Sequence, residues 1–175
     1  MSEKNKKFMQ ELTTNCLNVR LLSESDVLEL QAFLDLFDGF FMLCEGEKGS
    51  AEGILKSCPP SKDPLQDKFV LGIYENEQLM GLIDLIQNYP AENTWTIGYL
   101  LIHPKYRSQG KGRSVVENVA SALRQVQGTK MRCGVQEQNP QALNFWTKCG
   151  FKVVKTIQEN LGSLKNNTDV LERKL

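Results

Sequence analysis

The run Arg107-Ser108-Gln109-Gly110-Lys111-Gly112-Arg113-Ser114 sets two glycines among three basic residues, and helix-forming sequence follows directly. Glycine has no Cβ, so the backbone at Gly110 and Gly112 can bend until several N–H groups face one point. A helix opening at the same place adds its unpaired amides and the positive end of its dipole. That combination seats phosphate oxygens, and Arg107, Lys111 and Arg113 suit the same ligand. A Walker loop needs G-x-x-x-x-G-K-[ST], a spacing absent from this chain. A dinucleotide fingerprint needs a third glycine where Val115 stands. The competing reading is a plain glycine turn with a basic rim.

Two strand–turn–helix units position these residues. Ile97-Gly98-Tyr99-Leu100-Leu101-Ile102 reads as an apolar strand closed by His103-Pro104, and Val115, Val116, Val119, Ala122, Leu123 and Val126 recur at helical spacing behind the turn. Lys130 to Val135 reads as the next strand. Asn139 is a good N-cap, Pro140 suits the first helical position, and Gly150 stops the helix before a further strand from Phe151.

The pattern R-x-x-G-x-G after an apolar strand and H-P resembles motif A of the GNAT family of N-acetyltransferases. The string N-P-Q-A-L-N-F-W-T-K-C-G-F, Asn139 to Phe151, is similar to that family's motif B, usually N-x-x-A-x-x-F-Y-x-x-x-G-F. The resemblance covers Lys68 to Leu175 by motif and the earlier part by general layout. It implies an α/β GNAT fold, a mixed and mostly antiparallel sheet with helices on both faces, in the order β-α-α-β-β-β-α-β-α-β-β. It implies acetyl-CoA as cosubstrate, with its pyrophosphate on the Gly110–Gly112 turn and its pantetheine arm along Leu100, Leu101 and Ile102. Asn139 and Trp146 would lie beside the coenzyme, and the thioester would sit where the two motif strands diverge. The implied activity is direct transfer of an acetyl group to an amine of a small molecule or peptide. Dimers are common among similar proteins, so a homodimer is expected.

Such a transfer needs a neutral amine, donors for the developing oxyanion and a route out for the thiolate. The backbone N–H of Ile102 would polarise the carbonyl. Many family members carry a glutamate base on the motif A strand, where this chain has Thr96, which cannot do that work. Asp84 is the substitute base, since a charge inside Leu82-Ile83-Asp84-Leu85-Ile86 otherwise needs a solvated or ion-paired face to explain it. Glu92 reads as a turn residue and His103 as structural. The family's acid tyrosine is Trp146 here, whose indole has no titratable O–H. Packing is the simpler role for Trp146, and helix capping for Asn139. Losing both positions raises a second reading, a noncatalytic acyl-CoA-binding sensor or subunit. An acyl-cysteine route through Cys133 lacks a histidine nearby in sequence.

Composition narrows the rest. Residues 1–14 are expected to form a loose arm and residues 15–175 a single domain. Hydrophobic content of 41% and charged content of 24% suit a globular protein, and zero net charge gives no pull toward nucleic acid or anionic lipid. The lysine-rich start lacks the apolar stretch of a secretory signal, and no run is long enough to span a bilayer. The five cysteines have no C-x-x-C spacing and stand with one histidine, so no metal site and a reducing, cytoplasmic setting are expected. Leu17 to Leu21 reads as the first strand, and Ser23 with Asp26 as a helix start whose face would carry Leu28, Leu30, Phe33, Leu34 and Phe37. A second helix is expected within Gly46 to Lys56. The loops Phe37–Pro60 and Gln87–Asn93 should line the acceptor side, and a final hairpin pairs Phe151–Ile157 with Thr168–Lys174.

Overall fold

The computed structural model describes residues 2–14 and 18–175, so the expected start of the first strand at Leu17, like the Cys16 thiol, lies outside the described residues. The elements are α1 (Glu3–Thr14), β1 (Val19–Leu21), α2 (Val27–Leu34), α3 (Asp38–Cys44), α4 (Ala51–Lys56), β2 (Lys68–Glu75), β3 (Gln78–Gln87), β4 (Thr94–Ile102), α5 (Lys111–Gln125), β5 (Lys130–Gln136), α6 (Pro140–Lys148), β6 (Lys152–Leu161) and β7 (Leu164–Lys174). The strands form one 7-stranded sheet in the order β1-β2-β3-β4-β5-β7-β6. Its β4–β5 pair is parallel and the other neighbours are antiparallel, the mixed sheet that the motifs imply.

Each face of the sheet carries its own core. On one, Val115, Val116, Val119 and Leu123 of α5 pack with Trp146 of α6 on Leu71, Leu85, Trp95 and Met131. On the other, Leu30, Phe33, Leu34, Phe37 and Phe41 cover Val70, Leu82 and Leu101. The capping box at Ser23 and Asp26 is formed, yet Leu28 is 86% exposed and belongs to neither core. The helix expected within Gly46 to Lys56 is shorter, because Ser50 caps it by accepting from the Gly53 N–H at 3.0 Å. The last hairpin is longer than expected, paired through to Leu161 and Leu164.

The expected loose arm is instead a helix. Residues Phe8 and Leu12 of α1 are fully buried, and the Phe8 ring lies 4.8 Å from Trp95 and 5.5 Å from Phe69. Burial of a phenylalanine is worth about 1.5–3 kcal/mol, which outweighs the polar run around it.

Two irregularities shape the site. Ile83 pairs with Leu100 and Leu85 with Ile97, so Asp84 alone faces Gly98 and Tyr99, a β-bulge. The strands β4 and β5 pair from Thr94↔Lys130 to Ile97↔Cys133, yet β4 continues to Ile102 and β5 to Gln136. Past Ile97 and Cys133 the two strands part.

Candidate active site

The glycine turn opens α5. Gly110 is the N-cap, in the left-handed region at φ +75°, with open space where a Cβ would stand. The Ser114 N–H donates to the Gly110 carbonyl at 3.0 Å, so Lys111, Gly112 and Arg113 are the residues whose amides precede the first intrahelical bond. No side chain caps them. Gly112 lies under Phe145, whose ring atoms would be 3.3 Å from an added Cβ. Two of the three basic residues already have partners. Arg107 donates through Nε to the Ile102 carbonyl at 3.0 Å and lies over the Phe37 ring, and Lys111 is ion-paired with Glu75. Arg107 therefore braces the turn. The Gln109 amide donates to the Lys105 carbonyl at 2.8 Å, Ser108 holds φ +59°, and the Ser114 hydroxyl faces Asn118.

A cavity of about 670 Å³ lies over this turn, bounded by Leu100, Ile102, Gly110, Gly112, Arg113 and Phe145. The N–H of His103 donates to the Met80 carbonyl at 2.8 Å. Bonded and non-bonded pairs alternate along an antiparallel ladder. The amides of Leu101 and His103 therefore face β3, and those of Leu100 and Ile102 face the gap where β5 has turned away. Leu101 lines the cavity without offering its amide.

A second cavity, about 450 Å³, adjoins the first, and both touch Phe40, Leu100, Asn139, Ala142 and Trp146. Its floor carries glycines on both parting strands. A Cβ on Gly98 would stand 2.5 Å from Asp84 Oδ2, and one on Gly134 would stand 3.0 Å from Thr168 Cγ2. Asp84, 2% exposed, accepts from Lys68 Nζ at 2.9 Å, and Lys68 also donates to the Ser57 carbonyl at 2.7 Å. Burial pushes the Asp84 carboxyl up to about 6 against the opposing pull of Lys68. Its Oδ1 is buried with no partner among the described residues. Of the alternatives open for Asp84, the ion-paired setting is the one found.

Sequence reasoning missed Glu45. It follows α3, is 8% exposed, and lines the second cavity. The Tyr99 hydroxyl donates to its Oε1 at 2.8 Å, and no cation is in ion-pair range of it among the described residues. Burial raises its pKa, the Tyr99 hydrogen bond lowers it, and the Glu47 charge raises it. Burial and the neighbouring Glu45 push the Tyr99 phenol well above its usual value. The β6–β7 turn holds Glu45 from behind. The Ser163 N–H donates to the Glu45 carbonyl at 2.8 Å, and an added Cβ on Gly162 would stand 2.3 Å from that oxygen. One signal was available: an acid between the apolar end of α3 and Gly46, which holds φ +73°.

The other residues weighed in the sequence take the following places. The Thr96 hydroxyl donates to the Tyr89 carbonyl at 2.7 Å. His103 Nδ1 accepts from the Lys105 N–H at 3.1 Å, a structural role. Asn139 caps α6 by accepting from the Ala142 N–H at 3.1 Å. Trp146 packs with ring centroids 5.1 Å from Phe145 and 4.9 Å from Phe151. Burial pushes the Cys133 thiol far up, which leaves it a poor nucleophile. Phe40, Ser57, Cys58, Pro59 and Tyr89 bring both expected loops to the second cavity. Among the described residues no acid, histidine or cysteine group could hold a metal, and no helix is long and apolar enough to cross a membrane.

Comparison with known proteins agrees with this fold. No curated protein matches the chain by sequence. Among solved structures, an acetyltransferase from Thermus thermophilus has 19% identity and a TM-score of 0.70, over 91% of this chain and 97% of that one. The ribosomal-protein-S18-alanine N-acetyltransferase from Escherichia coli has 11% identity and a TM-score of 0.67, over 90% and 93%. A Bacillus subtilis acetyltransferase in complex with CoA has 14% identity and a TM-score of 0.58, over 91% and 99%. At these identities the likeness shows the fold. The model of the acetyltransferase (GNAT) family matches residues 30–151, so the chain belongs to that family.

Proposed function

We propose that this protein moves an acetyl group from acetyl-CoA directly to a primary amine held in the second cavity. One observation carries the reading: the two cavities meet where β4 and β5 part, between amides facing the gap and a buried carboxylate that no cation among the described residues neutralises. Acetyl-CoA supplies an activated carbonyl and a thiol leaving group. The amides of Lys111, Gly112 and Arg113 suit its pyrophosphate, and that of Ile102 suits its pantetheine arm.

Glu45 is the proton acceptor in this reading. A buried carboxylate with one phenol for company attracts an ammonium ion, and its raised pKa fits it to take that proton. The neutral amine then attacks the carbonyl carbon, and the Leu100 N–H, on a residue that lines both cavities where Ile102 lines only the first, donates to the developing oxyanion. Trp146 offers no proton to the leaving sulfur, so a thiol of pKa about 8.5 departs as the anion at neutral pH and takes up the proton that the attacking nitrogen sheds as the amide forms. Asp84 is the second candidate, favoured by its unpartnered Oδ1. Protonating it would leave Lys68 as an unpaired buried cation, which argues for a positioning role.

The test is release of free thiol from acetyl-CoA with a broad panel of amines. Turnover with any amine supports acetyl transfer. Tight coenzyme binding with no turnover on any of them would favour the noncatalytic sensor.

A further inference from the structure

The second cavity carries a positive group that acetyl transfer does not use. Arg132, on β5, lines it beside Thr96 and has neither an ion pair nor a hydrogen bond among the described residues. Its cross-strand neighbour Glu172 is engaged by Lys130 at 2.7 Å. Lys68 is neutralised by Asp84, so it does not compete for an anion. Thr168, 1% exposed, lines the same cavity, and its hydroxyl is buried with no partner among the described residues.

The cavity is therefore polarised along β4, and Glu159, also in its lining, stands on the hairpin whose turn holds Glu45, at the acidic end. Glu45 binds the Tyr99 hydroxyl and Arg132 pairs with Thr96, and the three residues of strand between, shortened by the bulge, span at most about 10 Å. Between them, Gly98 and Gly134 put no side chain on the floor. We infer that the acceptor is bifunctional, with its amine at Glu45 and an oxyanion, carboxylate or phosphate, at Arg132, separated by roughly 7–10 Å of largely apolar chain. This inference rests on the acetyl-transfer reading and names the acceptor class for the same site. An α-amino acid is too short for it, whereas a medium-length ω-amino acid, an aminoalkyl phosphate or a tripeptide with a free carboxylate fits. A diamine would put a second cation against Arg132.

The experiment compares kcat/KM, from thiol release, for 4-aminobutanoate, 6-aminohexanoate, 8-aminooctanoate, 6-aminohexyl phosphate, octylamine and 1,8-diaminooctane. The expected result is a preference of tenfold or more for a 6- or 8-carbon amino acid, or for the aminohexyl phosphate, over octylamine. Which oxyanion leads separates carboxylate from phosphate. The ratio of 8-aminooctanoate to octylamine should fall toward one in Arg132→Ala and invert toward the diamine in Arg132→Glu, each ratio being internal to its variant. Octylamine or the diamine turning over as well as the amino acids in the wild-type protein would overturn the inference and leave acetyl transfer standing. No thiol release from any amine would overturn acetyl transfer itself, and the inference with it.

Discussion

Glu45 and Tyr99 share a hydrogen bond of 2.8 Å that joins the turn after α3 to the bulge in β4. The phenol pulls the Glu45 pKa down against its burial. In Tyr99→Phe that pull is gone and the carboxyl rises further. A base works when deprotonated, so the acid limb of the kcat–pH profile should move to higher pH. Glu45→Gln should lower kcat by about 10²–10⁴ and erase the limb. A limb that stays in place in both variants would remove Glu45 from the chemistry.

The Lys68–Asp84 pair should behave as structure. Removing one partner of a buried pair costs about 3–5 kcal/mol, whereas replacing both with apolar residues is often near neutral. Lys68→Met alone should therefore unfold at much lower urea than Lys68→Met/Asp84→Leu. Asp84 holds its proton more tightly in the fold than in the unfolded chain, where its value is near 3.8, because burial lifts it to about 6. Its contribution is present below that window and declines as pH rises through it. Asp84→Asn should flatten this decline, measured as unfolding free energy against pH. If the double variant unfolds as early as Lys68→Met alone, the structural account is wrong.

Gly110→Asp should weaken acetyl-CoA binding by tenfold or more, because it sets a negative charge against the amides of Lys111, Gly112 and Arg113. Gly110→Ala meets no neighbour and pays for its φ of +75°, at about 1 kcal/mol of stability, with far less effect on affinity. Titration calorimetry on both variants is the measurement, and equal affinities would refute phosphate binding at this turn.

Phe8→Ala should cost about 3–5 kcal/mol in a denaturant titration, since the ring is sealed between Phe69 and Trp95. A loss below about 1 kcal/mol would mean that α1 contributes little to the fold.

Legibility in the sequence followed how local each signal is. The strand, glycine turn and α5 could be read because Arg107 to Val126 carries its own punctuation and its own apolar period. The cap at Asn139 and the left-handed Gly150 were local as well. Phe8 and Leu12 escaped because two apolar residues four apart in a lysine-rich stretch say nothing until Trp95 is placed beneath them. Asp84 showed as an anomaly in an apolar run, but its partner Lys68 sits on the next strand and only register brings them together. Glu45 showed least, because its site is made by Tyr99 and Ser163, 54 and 118 residues further along the chain.

That last contact ties chemistry to an unexpected part of the molecule. The turn at Gly162 and Ser163 ends a hairpin on the far edge of the sheet, yet its backbone is what the Glu45 carbonyl rests on. A side chain introduced at Gly162 would press on the backbone of Glu45 from behind, at a position that lines neither cavity. Variation in this hairpin can thus retune the proposed proton acceptor from outside, leaving the proposed coenzyme seat as it is.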